Sequence, residues 1–165
     1  MKTLTRVTML LGVCCCVPGC PPSGLDVMPE PVAVVAAIEM QVKPVAVDWD
    51  DSPGVDGLEI QVRLYRKDPV RAVPVSGKLE FMLYAGRIKA DKIAAAKPLR
   101  TWSFSGEPLQ RRAGRDLAGW HYVLRLSWLQ DVPTCASATL IARYELPDGK
   151  WLYSSPNSSI SIPQP

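Results

Sequence analysis

In Leu58-Glu59-Ile60-Gln61-Val62-Arg63-Leu64-Tyr65 apolar and polar side chains alternate without a break up to the closing tyrosine. Successive side chains of an extended chain point to opposite faces, whereas those of a helix return to one face every three or four residues. The pattern therefore fits a strand with one buried and one solvated face, and no helical register accommodates it. It recurs three times. Lys78–Tyr84 places Leu79, Phe81 and Leu83 on one face; Trp120–Leu129 puts Trp120, Tyr122, Leu124, Leu126 and Trp128 in phase; Thr139–Leu146 does the same with Leu140, Ala142, Tyr144 and Leu146.

Weaker segments extend the set. Ala37–Val47 reads as a strand interrupted at Pro44, which suits a sheet edge because proline cannot donate to the ladder. Leu99–Ser105 carries Trp102 and Phe104 in phase, and either Trp151–Ser155 or the serine-isoleucine run near the C-terminus supplies a last strand. Turn residues punctuate the segments at Pro74/Gly77, Gly114/Gly119 and Pro147-Asp148-Gly149. Lys89–Lys97 is the single short helix expected, stopped by Pro98. About seven antiparallel strands at turn-rich intervals predict an all-β sandwich of immunoglobulin-like kind, spanning residues 37–165, with at most one short helix.

The N-terminus carries a different message. Lys2 and Arg6 form a positive start, and Val7–Val17 is uncharged and mostly apolar. That run is shorter than the roughly 20 apolar residues a bilayer span requires, and it ends among small residues, the layout of an export signal. Val17-Pro18-Gly19-Cys20 then resembles the lipobox of bacterial lipoproteins; Val17 and Gly19 suit the pattern and Pro18 departs from it. Cys14, a rival acceptor, follows Val13 rather than a small residue. The resemblance implies that residues 1–19 are removed, that Cys20 is lipidated, and that the protein sits on a membrane of the cell envelope, on its periplasmic or surface side. Several acyl chains on one residue anchor a protein stably where one does not. Residues 20–36, with four prolines between Pro21 and Pro31, then read as an extended tether. Cys135 is left without an intramolecular disulfide partner and reads as a small buried hydrophobe rather than a reactive thiol.

From Cys20 the chain has 146 residues, enough for one domain with a core. Its charge is polarised along the sequence: residues 20–60 hold eight acidic side chains and one basic, and residues 61–165 hold sixteen basic and eight acidic. The basic side chains are spread over many segments rather than along one stripe, so no nucleic-acid partner is expected. Arg111, Arg112 and Arg115, in the stretch 110–116, read as a solvated loop.

Two constellations bear on function. Asp48, Asp50, Ser52, Asp56 and Glu59 fall at positions 1, 3, 5, 9 and 12 of a calcium-binding loop. Position 6 of such a loop turns sharply and is ordinarily glycine; here it is Pro53, and the flanks read as strands rather than helices. A turn delivering the chain into the next strand explains the same residues, with calcium the one cofactor they could take through Asp48, Asp50 and Asp56. Trp49, Trp120 and Trp151 fall at or near loop ends, where aromatic rings either cover the core or stack on a ligand such as a sugar. Enzyme signatures are missing: there is no Gly-x-Ser-x-Gly elbow, and the only histidine, His121, alternates away from the core. The expectation is a non-enzymatic, lipid-anchored binding or accessory protein with an envelope protein as partner. The alternative is a calcium-dependent or carbohydrate-binding sandwich.

Overall fold

The structure is a computed structural model that describes residues 28–50, 53–68, 71–129 and 131–164. In chain order its strands are β1 (Ala37–Val42), β2 (Gly57–Tyr65), β3 (Leu79–Ala85), β4 (Arg100–Phe104), β5 (Ala113–Asp116), β6 (Gly119–Ser127), β7 (Ser137–Glu145), β8 (Trp151–Tyr153) and β9 (Asn157–Ser161). One sheet has the order β1-β2-β6-β5; the other runs β4-β3-β7-β8, with β9 also on β7. All strand pairs are antiparallel. With β8 and β9 counted as one edge, this is the immunoglobulin arrangement of A-B-E-D facing C′-C-F-G. The all-β sandwich expected from the alternation is the observed fold.

The alternation is what closes the core. Leu58, Ile60, Val62 and Leu64 of β2 face Leu79, Phe81 and Leu83 of β3 and Leu140, Ala142 and Tyr144 of β7 across one continuous cluster that also holds Tyr122, Leu124, Leu126 and Trp128. Each such large side chain contributes roughly 1.5–3 kcal/mol when fully buried. Trp102, on the edge strand β4, donates from Nε1 to the Ser127 carbonyl at 2.8 Å and lies 6.0 Å from the Trp128 ring, which ties the two sheets together at that end.

Four local features depart from the sequence reading. Nine strands form rather than about seven, because Ala113–Asp116 pairs with β6 inside the expected basic loop, and both C-terminal candidates are strands. The latter are one broken edge: β8 covers Arg143–Glu145 of β7, β9 covers Ser137–Leu140, and Pro156 lies in the gap. The expected helix is a 3-10 helix, Ala90–Ala95, whose segment covers Met82, Tyr84 and Ile141 on the outer side of the second sheet. A second helix, α1 (Gly106–Gln110), was not expected; it is too short for periodicity to reveal, and it serves to bury Leu109.

Finally, the domain starts before residue 37. Val32 donates to the Pro74 carbonyl at 2.9 Å and accepts from Ser76 at 3.0 Å, Ala36 donates to the Tyr65 carbonyl at 2.7 Å, and Val35 is only 5% exposed. Residues 32–36, placed in the tether by their neighbours' prolines, are valine and alanine and fold onto the sandwich. After β1 the chain changes partner at Pro44: Val45 bridges Ser161 of β9 in parallel, and Val47 returns to Gly57.

The sandwich thus has two distinct ends. One gathers the strip 32–36, the β2–β3 connection, the β5–β6 turn and the β7–β8 turn. The other gathers the acidic connection into β2, the β6–β7 connection and the C-terminal residues, for Gly57 pairs with Ser127 and Ser137 with Ser161.

Candidate functional site

The acidic stretch folds as a tight return between two paired segments. Asp56 and Gly57 both donate to the Val47 carbonyl, at 2.9 and 3.2 Å, and Val47 donates to that of Gly57 at 2.8 Å. Within this loop the Asp56 carboxylate accepts from the Trp49 amide at 2.5 Å, and Asp48 Oδ1 accepts from the Asp50 amide at 3.1 Å. One carboxylate oxygen from each of Asp48, Asp50 and Asp56 lies within 4.8 Å of the other two. The structure therefore brings together the three carboxylates singled out in the sequence. Calcium takes 6–8 oxygens, and two of these groups already hold the loop's own amides, so the cluster has a structural task whether or not it holds an ion.

Glu59 is not part of it. Its strand alternation turns it to the outer face of β2, where it meets Lys43 at 2.7 Å and Arg125 at 3.9 Å. Strand pairing on both sides of the loop replaces the helices of an EF-hand. Ser52, like Cys20, lies outside the described residues.

The three tryptophans do not converge. Trp49 covers Gly57, where a Cβ would come within 2.7 Å of the indole, and Arg125 lies over the ring at 5.3 Å. Trp120 is at the opposite end of β6, opposite Arg115, whose guanidinium is 6.0 Å from the ring. Trp151 is on the second sheet, with Arg143 at 4.1 Å and Lys78 at 5.6 Å. Each ring thus has a cation of its own chain against a face, and such pairs contribute about 0.5–1 kcal/mol at exposed sites. A ligand stacking on that same face would have to displace the cation.

Two ionic clusters escaped the sequence reading. Glu80 is 5% exposed and lies between Lys78, at 2.5 Å, and Arg143, at 2.6 Å, whose guanidinium also stacks on Trp151. Burial alone would raise its pKa, but the hydrogen bonds and charges of Lys78 and Arg143 outweigh burial and hold it below the ordinary value. On the first sheet Asp116 accepts from Arg63 at 2.6 Å and from the Ala118 amide at 2.9 Å, with His121 Nδ1 at 3.5 Å. The Arg63 hydrogen bond lowers the Asp116 pKa against a smaller opposing effect of burial. His121 lies over Gly114, where a Cβ would meet Nε2 at 2.7 Å.

Comparisons of the chain with protein-family models, curated proteins and solved structures find no match. No helix among the described residues is long and apolar enough to cross a membrane.

Proposed function

We propose that the chain is an exported, non-enzymatic binding protein of the cell envelope, anchored by lipid on Cys20 and presenting its immunoglobulin-like sandwich to a protein partner. The observation that carries this reading is the order of segments in the chain: a basic start, an uncharged run, Val17-Pro18-Gly19-Cys20, a proline-rich stretch, and then the sandwich. A membrane anchor followed by a spacer and a sandwich is an arrangement for display. The two ionic clusters on the sheets, around Glu80 and Asp116, are occupied in pairs that stabilise the sheets, which suits a scaffold more than a reaction site.

The test is fractionation of cells expressing the chain and its Cys20→Ala variant. The parent is expected in the membrane fraction and the variant is not; equal partitioning of both would refute the anchor. Affinity capture of the lipidated chain from native membranes then identifies the partner, and a defined partner whose capture is lost with the domain's loop substitutions supports a binding role.

A second reading, a calcium-dependent module, has one observation in its favour, the convergence of Asp48, Asp50 and Asp56. Calorimetric titration separates it from the first: heat of binding together with a rise in thermal stability supports it, and the absence of both removes it.

A further inference from the structure

We propose that the end of the sandwich bearing Val34, Arg66, Lys67, Arg71 and Leu117 seats on the anionic headgroups of the leaflet that holds the acyl chains of Cys20. The inference rests on the anchor reading above and adds the orientation of the domain and its contact surface.

Three observations meet at this end. First, the strip 32–36 is fixed there by its hydrogen bonds to Tyr65, Pro74 and Ser76, so the chain arriving from Cys20 enters the domain at this end. Twelve residues separate Cys20 from Val32 and can span at most about 43 Å, while the opposite loops lie a further strand length away, about 30 Å for nine residues.

Second, this end exposes apolar side chains where nothing in the fold requires them. Leu117, at the tip of the β5–β6 turn, is 96% exposed, and Val34 is 66% exposed. The turn is held rigidly: Asp116 caps it through the Ala118 amide, Ala72 donates to the Ala118 carbonyl at 2.9 Å, and Trp120 donates to Ala72 at 3.0 Å. Those last two bonds also place Arg71 beside the turn. Between the strip and Arg66–Asp68 lies an open groove of about 810 Å³.

Third, the charge is complementary to a lipid surface. Arg66, Lys67 and Arg71 are exposed and form no ion pair with the described residues, with Asp68 the one acid in their segment. Of the neighbouring carboxylates, Asp116 is engaged by Arg63 and Asp148 by Lys150, while Glu30, just before the strip, is exposed. Apolar tips among cations suit a headgroup boundary, where the hydrocarbon enters and the charge stays in water.

The test uses the mature, lipidated chain with Cys135→Ser and a polarity-sensitive dye on Leu117→Cys or, at the opposite end, on Leu129→Cys. Each is reconstituted into vesicles of phosphatidylcholine alone or mixed with phosphatidylglycerol. With phosphatidylglycerol the dye at 117 is expected to be quenched by spin-labelled lipid, and the dye at 129 by a water-soluble quencher only. Arg66→Gln and Arg71→Gln should each lower the docked-to-free ratio about fivefold, and high salt should lower it further. Flotation reads the anchor separately. A chain that floats with the vesicles but leaves position 117 as open to water as 129 overturns the docking and spares the anchor. A chain that fails to float overturns both.

Discussion

Tyr144→Phe removes one oxygen from the core and should loosen a defined segment. Tyr144 is fully buried, and its hydroxyl accepts from the Gly77 amide at 2.8 Å while facing the Ala33 and Val32 carbonyls at 3.2 and 3.4 Å. The room for it exists because residue 77 is glycine; a Cβ there would overlap the hydroxyl. A phenylalanine keeps the ring packing but leaves the Gly77 donor unpaired and releases the strip at residue 33. Gly77 is only partly buried, so its unpaired donor costs toward the low end of about 1–3 kcal/mol. With the lost bond itself, about 0.5–1.5 kcal/mol, a loss near 2 kcal/mol is expected. For a domain of this size that is a fall in Tm of about 6–10 °C. The control is Tyr122→Phe, whose hydroxyl accepts from the Val75 amide at 2.9 Å but does not touch the strip. Both variants should lose similar stability in urea titration, but only Tyr144→Phe should speed hydrogen exchange at the Val32 and Ser76 amides beyond the global change. A loss below about 0.5 kcal/mol, or equal exchange at those amides in both variants, would refute the latch.

Glu80→Gln should cost about 2 kcal/mol, less than a fully buried pair because Lys78 and Arg143 are partly solvated. Since the folded pKa of Glu80 lies below its ordinary 4.5, its contribution is complete above that pH and is lost as pH falls through the lower folded value. Acid titration of stability should therefore be flatter in the variant below about pH 4.5. Gly119→Ala places a Cβ against the Ala72 backbone at a φ of 111°, and should lower Tm more than any exposed substitution in the β5–β6 turn, read by calorimetry. Joint replacement of Asp48, Asp50 and Asp56 by asparagine should abolish any calcium heat while leaving the fold's circular dichroism intact; retained heat would place the ion elsewhere.

The long strands could be read from the sequence because their core faces alternate, as Leu58–Tyr65 shows residue by residue. In β7 the other face is also buried, at Thr139 and Ile141, under the 3-10 segment, which the alternation alone did not reveal. Segments that bury a single side chain could not be read: α1 commits only Leu109, and β5 only lines the edge of β6. The acidic loop was legible as a cluster of carboxylates, and the strand phase of Leu58–Tyr65 already turned Glu59 outward, away from it. The pairs Arg63–Asp116 and Glu80–Arg143 lie 53 and 63 residues apart, so only the strand register reveals them. The arginines against Trp49, Trp120 and Trp151 were hidden for the same reason, and they alter how freely those rings can meet a ligand. Alanine and valine at 32–36 were overshadowed by the prolines before them, although apolar content alone favoured folding.

Lipid on Cys20 is the claim on which display, orientation and partner choice depend. Mass spectrometry of the N-terminal peptide from chain expressed in a bacterium with the lipoprotein pathway tests it directly. The peptide is expected to begin at Cys20 and to carry the mass of a diacylglyceryl group. A peptide that begins elsewhere, or an unmodified Cys20, would contradict it.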